Sequence, residues 1–135
     1  MSANSNKIEF IERGKGTPLV FIHGSLSDYR SWALQIQSFS KNFQTIAVSL
    51  PNMYPKPLER EKNLAVILQH ADDLLSFIKD LKKGPVHLVG HSRGGALALI
   101  LAAGHPDLFQ SVVLADPAPL DALLPKLSKV LVELK

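Results

Sequence analysis

A serine lies between two glycines in segment 90–94 of the chain, which reads GHSRG. The apolar run 86–89 comes directly before this segment, and small, helix-forming residues follow it. At a strand-to-helix turn of this kind the backbone bends sharply and lifts the serine hydroxyl clear of its neighbours, as covalent catalysis requires. Gly90 and Gly94 fit this interpretation, because a larger side chain at either position would strike the adjoining strand or helix. The segment predicts a nucleophile elbow centred on Ser92, and the plainer alternative is an ordinary glycine-rich loop.

Short apolar runs indicate the elements that would hold this serine. Four of them, at 19–22, 45–48, 86–89 and 112–115, are continuous rather than alternating, as in parallel strands buried on both faces, and a fifth, edge-like strand is expected at 8–11. The connections between the four are long enough for helical crossovers. One helix is expected near Asp28 with Trp32, Ile36 and Phe39 facing inward, another over the apolar stripe from Leu64 to Ile78, and a third after Ser92. These patterns predict an α/β fold: a mostly parallel sheet of about five strands with helices on both faces.

Composition narrows the classes of partner. The chain has 135 residues, of which 46% are hydrophobic and 20% charged, a globular balance that fits one small domain or part of a larger one. The formal charge of +3 is dispersed, so nucleic acid is not an expected partner. There is no cysteine and no ligand-like pairing of histidines with carboxylates, so we expect no metal site. We expect no organic cofactor either. No secretory signal or membrane-spanning run is visible, and a cytoplasmic location is the default expectation.

The run 18–24, which ends in His23-Gly24, together with the GHSRG segment resembles the α/β-hydrolase fold family over nearly the whole chain. The resemblance implies that the backbone amides of Ser25 and Arg93 donate hydrogen bonds to the oxyanion. It also implies that His23, Gly24 and His91 shape the site. Members that open epoxides or displace halide carry aspartate at the nucleophile position, so a serine there favours cleavage of a small ester, thioester or amide.

The catalytic base and acid are less clear from the sequence. In the family both follow the nucleophile along the chain. Four of the five histidines are not expected to reach the hydroxyl, because His91 projects to another side of the elbow and His70, His87 and His105 lie elsewhere. Only His23 emerges near the elbow, where shaping the loop is favoured over acting as the base. Asp116 ends the run 112–115 at the predicted catalytic edge, where it is either the catalytic acid or a carboxylate that caps the turn after it.

We therefore interpret the chain as the amino-terminal portion of a hydrolase, nearly inert alone because the catalytic histidine is missing. Residues 1–119 would form the core, and residues 120–135 would begin a lid or cap helix or form a closing helix. An open strand edge at 112–115 would allow self-association. The main alternative is an inactive hydrolase-like fragment that acts as a binding or interaction module; a lyase or cofactor-free oxidoreductase on the same scaffold is a weaker one.

Overall fold

Five strands and three helices make up the described part of this computed structural model, which covers residues 8–51, 53–56 and 64–118. The strands are β1 (Glu9–Arg13), β2 (Pro18–Ile22), β3 (Gln44–Ser49), β4 (Val86–Ser92) and β5 (Phe109–Pro117). The helices are α1 (Ala33–Phe39), α2 (Leu64–Asp80) and α3 (Arg93–Gly104), and short 3-10 turns lie at Tyr29–Trp32 and Pro106–Leu108. All five predicted strands are present, although β4 and β5 run further than their apolar cores indicate.

The strands form one sheet in the order β1-β3-β2-β4-β5. Strands β2 to β5 are parallel to their neighbours, and β1 pairs antiparallel with β3 at the edge. Every residue of β2 and β3 is buried, which is why their apolar side chains do not alternate with exposed polar ones. The prediction of a mostly parallel sheet of about five strands is confirmed. Because four strands run the same way, their carboxyl ends meet at one edge of the sheet.

Helices cover both faces of this sheet, as predicted. Helices α2 and α3 bury Leu74, Ile78 and Leu97 against side chains of the sheet such as Val20 and Ile22. On the opposite face, Ile36 of α1 packs with Leu19, Phe21 and Ala47. The two cores hold β2 and β4 in the middle of the molecule, so the turns at their carboxyl ends have rigid supports.

The apolar stripe predicted for α2 faces the core. Its members Ala71, Leu74 and Ile78 are buried, while Ile67 and Leu75 are partly buried. A fourth buried residue on this face is polar: His70, which lies one helical turn before Leu74, is 4% exposed.

The helix expected near Asp28 begins later than the sequence indicates. The Asp28 side chain accepts a hydrogen bond from the Arg30 amide and caps the 3-10 turn, and α1 follows. Trp32 and Ile36 pack inward as predicted, but Phe39 remains 44% exposed. Phe39 is the last residue of α1, so the core covers only part of its ring, which lies 6.3 Å from the ring of Phe21.

The proposed unit at residues 120–135 lies outside the described residues, so the boundary after residue 119 stays a prediction. Within the described ranges, no helix has both the length and the apolar character needed to cross a membrane.

Candidate active site at the β4–α3 turn

Ser92 stands at an abrupt junction, because β4 ends at this residue and α3 begins at the next one. Its backbone dihedral angles are φ 52° and ψ −117°, a conformation that a residue with a side chain rarely adopts. Strain of this kind costs roughly 1–3 kcal/mol and is found mainly at functional positions. The sharp turn predicted from the GHSRG segment is therefore present.

Close backbone approach explains the two glycines of the motif. A Cβ atom added to Gly90 would overlap the carbonyl oxygen of Gly94, and one added to Gly94 would overlap the carbonyl oxygens of Ile22 and His23. The first residues of α3 thus press directly on the end of β2. This contact brings the turn that follows β2 next to the elbow.

The turn after β2 and the elbow lie side by side at the serine. The position that a Cβ on Gly24 would occupy lies 3.2 Å from the Ser92 Cβ, so the turn that carries Ser25 passes beside the serine. The Ser92 hydroxyl does not cap α3 and has no hydrogen-bond partner among the described residues. The Arg93 amide belongs to the first turn of α3, where no intrahelical acceptor exists. A free hydroxyl and a free helical amide therefore share one corner of the molecule.

His23 is a structural part of this corner. It is completely buried, its Nε2 accepts a hydrogen bond from the Leu50 amide at 3.0 Å, and its Nδ1 lies 2.7 Å from the Gly24 carbonyl oxygen. Burial lowers the pKa of its imidazole, with a smaller contribution in the same direction from the charge of Arg93. Both ring nitrogens are thus occupied by backbone groups, and a neutral His23 is not free to take a proton from a hydroxyl.

Three further histidines offer no base for Ser92. His87 makes a hydrogen bond of 2.7 Å between its Nδ1 and the Ser111 hydroxyl. His105 follows the last turn of α3 and lies about 20 Å from the serine at ~1.5 Å per helical residue. His91 is exposed next to Ser92, and no hydrogen bond joins the two side chains in the described part of the chain.

Asp116 lies across from the elbow on the neighbouring strand. His91 pairs with Ala115 and Ser92 pairs with Pro117, so Asp116 is the additional residue of a β-bulge. It is exposed, and its φ of 46° lies in the left-handed region. The Ala118 amide, which a capping carboxylate would need, instead donates to the Ser92 carbonyl oxygen at 2.9 Å. The structure thus brings Asp116 to the elbow without using it as a cap of that amide.

One contact at the site was not anticipated from the sequence. The Arg93 side chain reaches α2, where its Nη2 donates to the Nδ1 of buried His70 at 3.3 Å. The available signal was the position of His70, which shares the apolar face of α2 with Leu74. No group of three or more potential metal-ligating side chains occurs in the described ranges.

Comparison with known proteins identifies the architecture around this elbow. A family model described as alpha/beta hydrolase fold matches residues 17–133. The chain belongs to the α/β-hydrolase fold family. The predicted family resemblance is thereby confirmed, and the match covers the elbow and the turn after β2.

Individual α/β-hydrolases similar to this chain carry out different reactions. The (E)-2-((N-methylformamido)methylene)succinate hydrolase of Acinetobacter baylyi is 30% identical over 114 residues, which cover 84% of this chain and 43% of that protein. Epoxide hydrolase 3 of Mus musculus is 27% identical over 110 residues, covering 82% of this chain and 30% of that protein. A solved marine microorganism esterase matches with a TM-score of 0.76 and 27% identity, over 93% of this chain and 48% of that one. The chain spans less than half the length of each of these proteins.

Proposed function

We propose that this chain carries the nucleophile and oxyanion donors of a serine hydrolase that cleaves a small ester, thioester or amide. Ser92 is the nucleophile, and the amides of Ser25 and Arg93 stabilise the oxyanion. His23, Gly24, Gly90, His91 and Gly94 give the site its shape. The strained backbone of Ser92, with its unused hydroxyl, is the observation that carries the proposal.

The residue at the elbow selects among the reactions of the family. An aspartate there would form an ester with an opened epoxide, whereas a serine alkoxide adds to a carbonyl carbon and creates a negatively charged oxygen. Two fixed amides, one of them at the amino terminus of α3, suit such an oxygen because they need no reorganisation during the reaction. Removing one donor of this kind typically costs about 10²- to 10³-fold in turnover.

The proposed reaction is an acyl transfer through a covalent intermediate. The Ser92 Oγ forms a bond to the carbonyl carbon while the carbonyl electron pair moves to oxygen, and the hydroxyl proton passes to a base. Collapse of the intermediate expels the alcohol, thiol or amine with a proton and leaves an acyl-serine, which water then hydrolyses.

The base for this step is unassigned. The nitrogens of His23 are both occupied, and His70 faces Arg93. A serine without a general base loses most of its nucleophilic advantage, so we predict that these residues alone turn over substrate very slowly. Asp116 is proposed as the carboxylate that would orient such a base, on the strength of its place in the bulge beside the elbow.

The Acinetobacter baylyi relative is named as a hydrolase of (E)-2-((N-methylformamido)methylene)succinate, a compound that contains an amide group, as does the proposed class of substrates. A cytoplasmic location and self-association through β5 remain predictions. The competing possibility, an inactive binding module, differs from the proposal in one property, the reactivity of Ser92.

A fluorophosphonate probe measures that reactivity. We expect slow labelling of the wild-type chain that accelerates when neutral imidazole is added as a substitute base, because imidazole can accept the Ser92 proton. Ser92→Ala should abolish labelling, whereas Ser76→Ala, which changes an exposed serine on α2, should label like the wild type. If Ser92 is not labelled either with or without imidazole, the binding module is favoured instead.

A further inference from the structure

The side chain of Arg93 carries a charge that the proposed reaction does not use. Arg93 follows the proposed nucleophile in the chain, its side chain is half-buried, and within the described residues its Nη2 donates a hydrogen bond of 3.3 Å to His70 on α2. The Nε atom is buried and has no acceptor in the described part of the chain. The buried Nε cannot meet a ligand from solvent, so the donor capacity that Arg93 offers to a ligand lies in its Nη atoms.

His70 orients this guanidinium without neutralising it. Burial on the core face of α2, together with the nearby charge of Arg93 and a smaller contribution from His23, lowers the pKa of His70 to about 4. The imidazole is therefore neutral at pH 7, and the Nδ1 that faces Arg93 is the acceptor. A neutral acceptor fixes the direction of the guanidinium and leaves its full positive charge in place.

No carboxylate offsets that charge within the described ranges. The salt bridge found there joins Arg30 to Asp28, both at the 3-10 turn before α1. Burial lowers the pKa of Arg93, and no neighbouring anion acts in the opposite direction. Partly buried arginines are ordinarily paired, because an uncompensated buried charge is costly. Arg93 has no such partner among the described residues, and an anionic ligand would supply the counter-ion.

We propose that the Arg93 side chain, held by His70, is an anion subsite that selects acyl substrates carrying a carboxylate close to the scissile carbonyl. A guanidinium is a planar fork of donors that matches the two oxygens of a carboxylate. Arg93 and Ser92 are adjacent, with Cα atoms ~3.8 Å apart, and we propose a short acyl chain such as succinyl as the length that spans their side chains. This substrate class rests on the proposed function, although the binding step does not require a reactive serine.

The test compares two ligands that differ in one charge. Monomethyl succinate carries a carboxylate and dimethyl succinate is its neutral analogue, and the binding of each to the full chain is followed by NMR titration. We expect Arg93→Met to weaken binding of monomethyl succinate about 10- to 100-fold, the usual worth of a charge-assisted hydrogen bond, and to leave binding of dimethyl succinate unchanged. Raising the salt concentration should weaken the charged ligand selectively.

Matched variants distinguish binding at Arg93 from a general effect of positive charge and from the effect of unfolding. Arg13→Met removes an exposed arginine at the end of β1 and should leave both affinities unchanged. In the wild type, monomethyl succinate should shift the Arg93 Cζ resonance, because this carbon bears the Nη donors; this readout requires no variant to fold. The proposal is wrong if Arg93→Met binds both ligands like the wild type, if it loses both equally, or if the Arg93 resonance does not move.

The binding measurement also stands apart from the proposed function. Ser92→Ala should retain the preference for the charged ligand, because the alcohol does not contact the carboxylate. If the chain prefers monomethyl succinate but is not labelled by fluorophosphonate, the subsite is supported and the hydrolase is rejected. If it is labelled but shows no such preference, the hydrolase is supported and the subsite is rejected.

Discussion

The Nε2 of His23 lies 3.0 Å from the Leu50 amide nitrogen, and this hydrogen bond joins the turn after β2 to the first residue after β3. Since the amide is the donor, Nε2 carries no proton, so Nδ1 carries it and donates to the Gly24 carbonyl oxygen at 2.7 Å. One buried imidazole therefore holds together two loops at the carboxyl edge of the sheet, beside the elbow.

Replacing His23 by phenylalanine should destabilise the protein because it fills the same space but leaves the buried Leu50 amide without an acceptor. A buried unsatisfied donor costs about 1–3 kcal/mol, and the Gly24 carbonyl loses its partner as well. We expect the free energy of unfolding, measured by urea denaturation, to fall by about 2–4 kcal/mol. His105→Gln at the end of α3 should change it by less than about 0.5 kcal/mol, as is usual away from buried networks. Equal stabilities of the two variants would contradict this role for His23.

Gly94→Ala should disrupt the contact between α3 and β2. The added methyl group would overlap the backbone carbonyls of Ile22 and His23, which cannot rotate away, so we expect a loss of about 2–3 kcal/mol in unfolding free energy. Gly84→Asn provides the control: that glycine has a φ of +74° and no atoms within 4 Å, and asparagine tolerates left-handed backbone. Thermal denaturation of both variants checks the difference, and a Gly94→Ala protein as stable as Gly84→Asn would show that the close approach is not rigid.

His70 should make stability depend on pH. Its folded pKa of about 4 lies below the unfolded value of 6.5, so between these values the unfolded state binds more protons. The stabilisation is therefore fully present above pH 6.5, and the free energy of unfolding falls as the pH drops toward 4. The total loss is roughly 3 kcal/mol, because each tenfold difference in proton affinity corresponds to about 1.36 kcal/mol. His70→Gln keeps an acceptor for Arg93 but cannot titrate, and its stability should fall less over the same range. Burial also lowers the pKa of His23, so some pH dependence should persist. Identical pH profiles for wild type and His70→Gln would refute the assignment.

We predict that strand β5 mediates self-association through its outer edge, which pairs with no other strand among the described residues. It lies at the edge of the five-stranded sheet, and Val113 is 53% exposed. A lysine on such an edge disfavours strand pairing between molecules. We expect Val113→Lys to lower the weight-average mass in sedimentation equilibrium relative to the wild type. Leu34→Lys, at a 75% exposed leucine on α1, should leave that mass unchanged. A wild type that is monomeric at all concentrations would rule out association through this edge.

The parts of the fold encoded in short segments were predictable from the sequence. Apolar runs located the strands, and the spacing of glycines located the elbow, because both depend on neighbouring residues. The His70–Arg93 contact was not predictable, since it depends on how α2 is rotated against α3. The bulge at Asp116 likewise depends on the register between β4 and β5, and the acceptor role of His23 depends on where β3 ends. Each of these arises from tertiary packing that no local pattern records.

We propose Ser92 as the nucleophile and the amides of Ser25 and Arg93 as the donors to the oxyanion. An NMR spectrum of the ¹⁵N-labelled chain, recorded after phosphonylation in the presence of imidazole, tests both roles together. We predict a phosphonyl group on the Ser92 oxygen and large downfield shifts of the Ser25 and Arg93 amide protons, because the phosphonyl oxygen stands where the oxyanion would form. Attachment to another residue, no attachment at all, or an adduct at Ser92 that leaves both amides unmoved would contradict it.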